Sequence, residues 1–255
     1  MTMTFQSFLL LITTAFVALP TSVSKAAEPA KPTLVDVQRI WDKAPHNAFT
    51  DLIRHKDLWY CVFREGSAHV SPDGSLRVIT SVDGKQWTSK ALVSSATHDL
   101  RDAKVTVTPQ GKLLLNGAGM IADAKIRYQS LSWLSSDDGA TWDNGHIIGH
   151  PGFWLWRVQW HNNLAYTFGY STERDRTTRR LRLYTSQTGT QFDTHVQQLT
   201  APAGCGEDSI LFLKDGTALC LLRHETGNKM AQLGRSAAPY TKWVWQDLNR
   251  RIGGP

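Results

Sequence analysis

The stretch "SSDDGATW", from Ser135 to Trp142, decides the fold because the turn it predicts recurs along the chain. Ser and Asp side chains can bond to backbone amides in a tight turn, and glycine adopts backbone angles that other residues avoid. The tryptophan ring fits between neighbouring sheets. These roles are structural, so the turn itself is not predicted to be catalytic.

A hydroxyl stands seven residues before an aromatic residue at four places: Thr80 before Trp87, Ser135 before Trp142, Thr185 before Phe192 and Ser236 before Trp243. The spacings are 135 − 80 = 55, 185 − 135 = 50 and 236 − 185 = 51, which lie in the range of β-propeller blades. "SSDDGATW" is complete, whereas Val82 and Gln187 stand where the acid belongs in "TSVDGKQW" and "TSQTGTQF". The repeat therefore predicts a wheel of similar sheets.

Each unit also holds an earlier turn between two apolar, β-rich runs, in "RHKDLWYCVFR", "TPQGKLLLNG", "WHNNLAYTFGY" and "LKDGTALCLLR". Such a pattern predicts a β-hairpin. Each unit then reads as four antiparallel strands, and the blades fall at residues 46–95, 98–150, 152–200 and 204–250. The fold class predicted is all-β, a propeller of four-stranded antiparallel blades.

The first 27 residues predict a signal peptide, because an apolar run from Phe8 to Leu19 is too short to span a bilayer and small residues follow it. A buried helix is the alternative. Residues 28–45 then form a linker and residues 46–255 the propeller. The expectation is a secreted or periplasmic protein without a membrane span after signal cleavage, acting as a monomer.

The cysteines, the charge and the absence of known motifs limit the partners and cofactors to be expected. Cys61 and Cys220 are interpreted as buried thiols, with a Cys205–Cys220 bridge left open. The formal net charge of the chain is +6. The basic run "TERDRTTRRLRLY" is interpreted as a solvated loop entering a strand. No nucleic-acid motif accompanies this run, so nucleic acid is not an expected partner. No metal or cofactor motif stands out, and no cofactor is expected.

The hairpin geometry predicts one functional rim. In an antiparallel pair, the start of the first strand and the end of the second lie at the same edge. Counting from the turns aligns two acids and an aromatic residue at the first point, and two arginines and another aromatic residue at the second. Arginine binds carboxylates, aromatic faces stack on sugars, and paired acids transfer protons at a glycosidic bond. The predicted catalytic pair is Glu207 and Asp102, and the predicted substrate-binding residues are Arg64, Arg223, Arg101, His69, Trp154 and Tyr170.

Structural roles remain open for several of these residues. Asp102 could cap a turn, and Trp154 could pack between blades. Arg64 and Arg223 could neutralise neighbouring acids.

The segment "GEDSILFLKDGTALCLLR" and the Asp-box turns resemble the sialidase (neuraminidase) superfamily of six-bladed propellers with Asp-box (BNR) repeats. The resemblance implies that Glu207 polarises a tyrosine nucleophile and that Arg223 binds the substrate carboxylate. "FREGSAHVSPDG" is similar to the stretch that leads to the family's acid/base aspartate. Val70 occupies that position, so Asp73 or Asp102 is expected to substitute. The chain is expected to hold four of the six blades, a truncated form of its parent.

These observations predict an exported, exo-sialidase-like glycoside hydrolase that acts on an acidic or polar glycan. The alternative is a non-catalytic glycan-binding propeller. A third interpretation, a structural or partner-binding wheel, applies if the rim acids are paired and buried.

Overall fold

The computed structural model describes residues 32–121 and 126–252. The predicted signal peptide lies outside the described residues, as does the start of the predicted linker. Residues from Gln38 onward form one compact unit. Within the described ranges, no helix is long and apolar enough to cross a membrane.

The described chain forms four antiparallel sheets whose strands follow chain order, so the predicted all-β, four-bladed propeller is confirmed. The first blade holds β1 (His46–His55), β2 (Leu58–Gly66), β3 (Ser75–Ser81) and β4 (Thr88–Val93). The second holds β5 (Asp99–Val107), β6 (Leu113–Met120), β7 (Tyr128–Ser135) and β8 (His146–Ile148).

The third blade holds β9 (Phe153–Leu155), β10 (Gln159–His161), β11 (Leu164–Ser171), β12 (Leu181–Ser186) and β13 (Asp193–Val196). Its first strand is split, because β9 and β10 both pair with β11. A short 3-10 helix (Arg176–Thr178) lies between β11 and β12. The fourth blade holds β14 (Cys205–Phe212), β15 (Ala218–His224), β16 (Met230–Ser236) and β17 (Val244–Arg251).

The hydrophobic core lies between successive blades. One cluster joins Val62 and Leu76 of the first blade to Leu100 of the second. A later cluster joins Phe168 of the third blade to Ile210 of the fourth. Full burial of such a side chain stabilises the fold by about 1.5–3 kcal/mol. The sheets of successive blades therefore pack face to face, which brings their inner strands together.

The turns after the third strands differ from the sequence alignment by one residue. β3, β7, β12 and β16 each end on a serine: Ser81, Ser135, Ser186 and Ser236. In the first three turns the serine Oγ accepts a hydrogen bond from a glycine amide, at 2.8–2.9 Å. Counting back from the aromatic residue was wrong at Thr80 and Thr185, because the second blade has one more residue between its serine and its glycine.

The acid of the first turn was also misplaced. Asp83, which follows Val82, accepts hydrogen bonds from the amides of Lys85 at 2.8 Å and Gln86 at 2.9 Å. Asp137 has the same role in the second turn, where it accepts from the amide of Thr141 at 2.9 Å. The first blade therefore keeps an acid in this turn.

A bulge interrupts the inner strand of three blades. The register shifts between Ala48 and Asp51, between Arg101 and Lys104, and between Cys205 and Asp208. Asp102 has a left-handed φ of 54° in its bulge. By this register Asp102 is equivalent to Gly206, and Glu207 lies one place further along, so the predicted superposition of the two acids was wrong by one residue. Both still lie in the bulges of inner strands.

The three cysteines are buried free thiols, which confirms the prediction for Cys61 and Cys220 and leaves no Cys205–Cys220 bridge.

Candidate functional site

Asp102 and Glu207 lie in the bulges of the inner strands of the second and fourth blades. Burial and, to a smaller extent, the negative charge of Glu207 raise the pKa of Asp102 to about 6, against the opposing charges of Lys104 and Arg101. A carboxyl group with this pKa exchanges a proton near neutral pH, as a general acid must. The fold thus places two acids that are 105 positions apart in the chain (207 − 102) in the inner-strand bulges of two blades.

The two carboxylate oxygens of Glu207 differ in their hydrogen bonding. Its Oε1 accepts a hydrogen bond from Nη1 of Arg223 at 2.7 Å. Its Oε2 is buried and has no hydrogen-bond partner among the described residues. Since a buried carboxylate oxygen without a partner is costly, this atom is suited to accept a hydrogen bond from a ligand or a water molecule.

Charged residues also follow each inner-strand break, and sequence reasoning missed all four of them as site residues. Asp51 accepts hydrogen bonds from the Arg157 side chain and, at 3.0 Å, from the amide of Val105. Nζ of the buried Lys104 lies 4.4 Å from the ring centroid of Trp156, and burial lowers the pKa of this lysine. The signal that could have found them is a charge at the start of, or within, an apolar, β-rich run of the sequence: Asp51, Lys104, Arg157 and Asp208.

A second missed feature is the carboxylate of Glu225, which binds three arginines. It lies 3.0 Å from Nη1 of Arg176 and 2.9 Å from Nη2 of Arg223, and it also pairs with Arg179. Arg176 and Arg179 belong to the arginine-rich run between β11 and β12. Most of the loop part of that run is exposed and leads into β12, which confirms the interpretation as a solvated loop entering a strand, although two of its arginines bind Glu225.

Three predicted binding residues come together at the boundary between the first and second blades, around Asp99. Arg64 is fully buried, with Nη2 2.8 Å from Oδ1 of Asp99, and it donates to the Ala68 carbonyl oxygen at 2.7 Å. Arg101 donates to the carbonyl oxygen of His69 at 2.7 Å. The His69 side chain is exposed on the loop between β2 and β3. These contacts agree with the alternative role considered for Arg64, which is to neutralise a neighbouring acid.

Trp154 and Tyr170 pair across β9 and β11 and stack with centroids 6.2 Å apart and planes 11° from parallel. Both are buried, and Trp154 also contacts Tyr128 of the second blade at 5.0 Å. The Arg179 guanidinium lies 5.0 Å from the Tyr170 ring. These contacts join the second and third blades and connect them to the Glu225 cluster.

Asp73, the other acid considered for proton transfer, is held in its ionised form. Hydrogen bonding by Ser71 and Ser67 lowers its pKa to about 2. The amide of Ser67 donates to the Asp73 carboxylate at 2.9 Å. Of the two acids, Asp102 is the one that can carry a proton at neutral pH.

No family model matches this chain. The search of curated proteins also finds no match.

Solved structures do match. A protein of unknown function from Dyadobacter fermentans aligns with a TM-score of 0.74 at 17% identity, over 85% of this chain and 72% of that one. The α-L-arabinanase of Penicillium chrysogenum, complexed with arabinobiose, aligns with a TM-score of 0.63 at 15% identity, over 80% and 67%.

A variant of the α-L-arabinofuranosidase of Fusarium graminearum, in complex with an iminosugar inhibitor, aligns with a TM-score of 0.64 at 14% identity, over 80% and 66%. At these identities the likeness shows the fold. The chain shares the β-propeller architecture of these glycoside hydrolases; the likeness supports the predicted propeller but not the predicted sialidase superfamily.

Proposed function

We propose that this protein is a glycoside hydrolase whose acid/base pair is Asp102 and Glu207. The observation that carries the proposal is that both carboxyl groups lie in bulges of inner strands, where Oε2 of Glu207 has no hydrogen-bond partner among the described residues and burial raises the pKa of Asp102 to about 6. Glycosidases need one carboxylic acid to protonate the leaving oxygen and one carboxylate to act as base or nucleophile. Asp102 fits the acid role and Glu207, bound to Arg223, fits the carboxylate role.

A neutral sugar at the cleavage site fits the charges better than sialic acid. Arg64 and Arg101, both assigned from sequence to substrate binding, instead surround Asp99. Arg223 is shared between Glu207 and Glu225. A substrate carboxylate would have to displace these partners. The propeller neighbours that act on arabinose-containing glycans support the same choice.

Export to the periplasm or cell exterior, and action as a monomer, belong to the same proposal. The apolar run near the N-terminus supports export, because its length and the small residues after it match the pattern of a signal peptide.

Hydrolysis of a panel of 4-nitrophenyl glycosides tests the proposal. The panel includes α-L-arabinofuranoside and β-D-galactoside, together with a 4-methylumbelliferyl sialoside. We expect turnover of a neutral member and a loss of roughly 10²–10⁴-fold in kcat for Glu207→Gln. Glu173→Gln is the matched control, since Glu173 pairs with Arg180 on a surface loop. Equal rates for the Glu207 and Glu173 variants contradict the proposal.

The second candidate is a glycan-binding propeller without catalysis. The observation that favours it is the ion pair of Glu207 with Arg223, which holds the carboxylate in place. If the protein binds arabino-oligosaccharides but releases no product from any panel member, the result supports this second candidate.

A further inference from the structure

The basic pocket between the third and fourth blades is a cavity of about 210 Å³ beside the proposed active site. The polar residues that line it are Arg176, Arg223, His224, Glu225, Lys229 and Arg251. Its connection to the active site is Arg223, which binds Glu207 through Nη1 and Glu225 through Nη2.

The chain does not neutralise this pocket. Four cations and one carboxylate line the pocket, and Glu207 pairs with Arg223 from outside it, which leaves an excess of two positive charges. Glu225 is shared by three arginines, so it cannot satisfy the roughly fifteen N–H groups that they present. Lys229 and Arg251 have no carboxylate within 4.0 Å in the part of the chain that the structure describes.

The cations are positioned by the backbone. Arg176 opens the 3-10 helix, whose cap, Asp175, accepts hydrogen bonds from the amide of Thr177 at 2.9 Å and from its hydroxyl at 2.7 Å. Arg251 pairs with Met230 across β16 and β17, which places it next to Lys229. Convergent guanidinium groups bind planar carboxylates through paired hydrogen bonds.

We propose that the basic pocket binds the carboxylate of a uronic-acid unit in the glycan, next to the neutral sugar that is cleaved. This inference rests on the proposed function for its orientation relative to Glu207. The cleavage site takes an uncharged ring, because its own arginines are paired. The pocket supplies unpaired positive charge one side chain away, so it selects a substrate with an acidic substituent.

Binding measurements on the full chain test the inference without requiring turnover. Ligand-observed NMR compares methyl β-D-glucuronide with methyl β-D-glucoside and with inorganic sulfate. We expect the glucuronide to bind about tenfold or more tightly than the glucoside, and the preference to weaken from about 50 to about 300 mM salt. Sulfate is expected to compete only weakly.

The double variant Lys229→Gln/Arg251→Gln is expected to lose the preference for the glucuronide. Lys85→Gln/Lys112→Gln, which removes the same charge from exposed positions outside the pocket, is expected to keep it. Thermal unfolding of both variants checks that they are folded. Equal affinity for glucuronide and glucoside in the wild type, or equal loss in both variants, overturns the inference.

Sulfate binding as tight as glucuronide binding also overturns it, because the pocket then takes free anions. Failure of the proposed function looks different: the glucuronide binds through the pocket, yet no glycoside is hydrolysed.

Discussion

Asp102 derives its chemistry from three local causes: a left-handed bulge, burial and neighbouring charges. The bulge turns it out of the regular alternation of β5, and burial in the interior disfavours its ionised form. Sequence spacing could predict that an acid stands near this rim. It could not predict the bulge, because the extra residue depends on pairing with β6.

The pH dependence of hydrolysis is expected to follow Asp102. A general acid acts while protonated, so kcat/KM should fall as pH rises through an apparent pKa of about 6. Asp102→Asn is expected to lose both the fall and most of the rate on substrates with a poor leaving group. An activated 2,4-dinitrophenyl glycoside needs no protonation, so its rate should be largely kept.

Rate profiles from pH 4 to 9 check this expectation. Asp73→Asn is the control and should leave the fall in place, because Asp73 is already ionised throughout that range. An equal loss of rate for activated and unactivated substrates in Asp102→Asn speaks against the acid role.

At the level of elements, the hairpins were predictable and the register was not. Apolar runs flanking a turn define a hairpin locally, whereas the position of a bulge depends on the partner strand. The serine turns show the same limit, since one additional residue in "SSDDG" moved two assignments by one place. The split of the third blade's inner strand into β9 and β10 was likewise invisible in the sequence.

Asp51 and Asp208 occupy equivalent places after the bulges of β1 and β14 and differ in their partners. Asp51 binds Arg157 and accepts the amide of Val105 from the next blade. Neither carboxylate oxygen of Asp208 has a hydrogen-bond partner within the described residues, and burial raises its pKa well above the usual range.

Replacing aspartate by asparagine is expected to have opposite effects on stability at positions 51 and 208. Asp51→Asn should lower the free energy of unfolding by about 2–3 kcal/mol, less than for a fully buried pair because Arg157 is one-third exposed. Asp208→Asn should raise it by about 1 kcal/mol at pH 8, since it removes a buried ionisable group without a partner.

Urea unfolding of the two variants at pH 5 and pH 8 measures both effects. A group whose pKa is raised in the folded state contributes stability at low pH that is lost as pH rises, so the advantage of Asp208→Asn should grow from pH 5 to pH 8. If both variants are less stable than the wild type at both pH values, the expected difference between Asp51 and Asp208 is refuted.

At the scale of the whole molecule, the repeat predicted the wheel, and the wheel explains why distant residues meet. The four sheets stack through apolar faces, so the inner strands converge. The partners of each charge could not be predicted, because the contacts of Arg64 and Glu225 are made across strands and blades. The cluster around Glu225 therefore emerged only with the structure, although all three arginines were visible in the sequence.

The central claim is that burial in the wheel, together with the negative charge of Glu207, raises the pKa of Asp102. Carbon-13 NMR titration of the Asp102 carboxyl group, assigned by its loss in Asp102→Asn, measures this pKa directly. The account predicts a midpoint near pH 6 that falls in Glu207→Gln, because removing the neighbouring negative charge favours ionisation of Asp102. A midpoint near the ordinary aspartate value of about 4, unchanged by Glu207→Gln, would contradict the account.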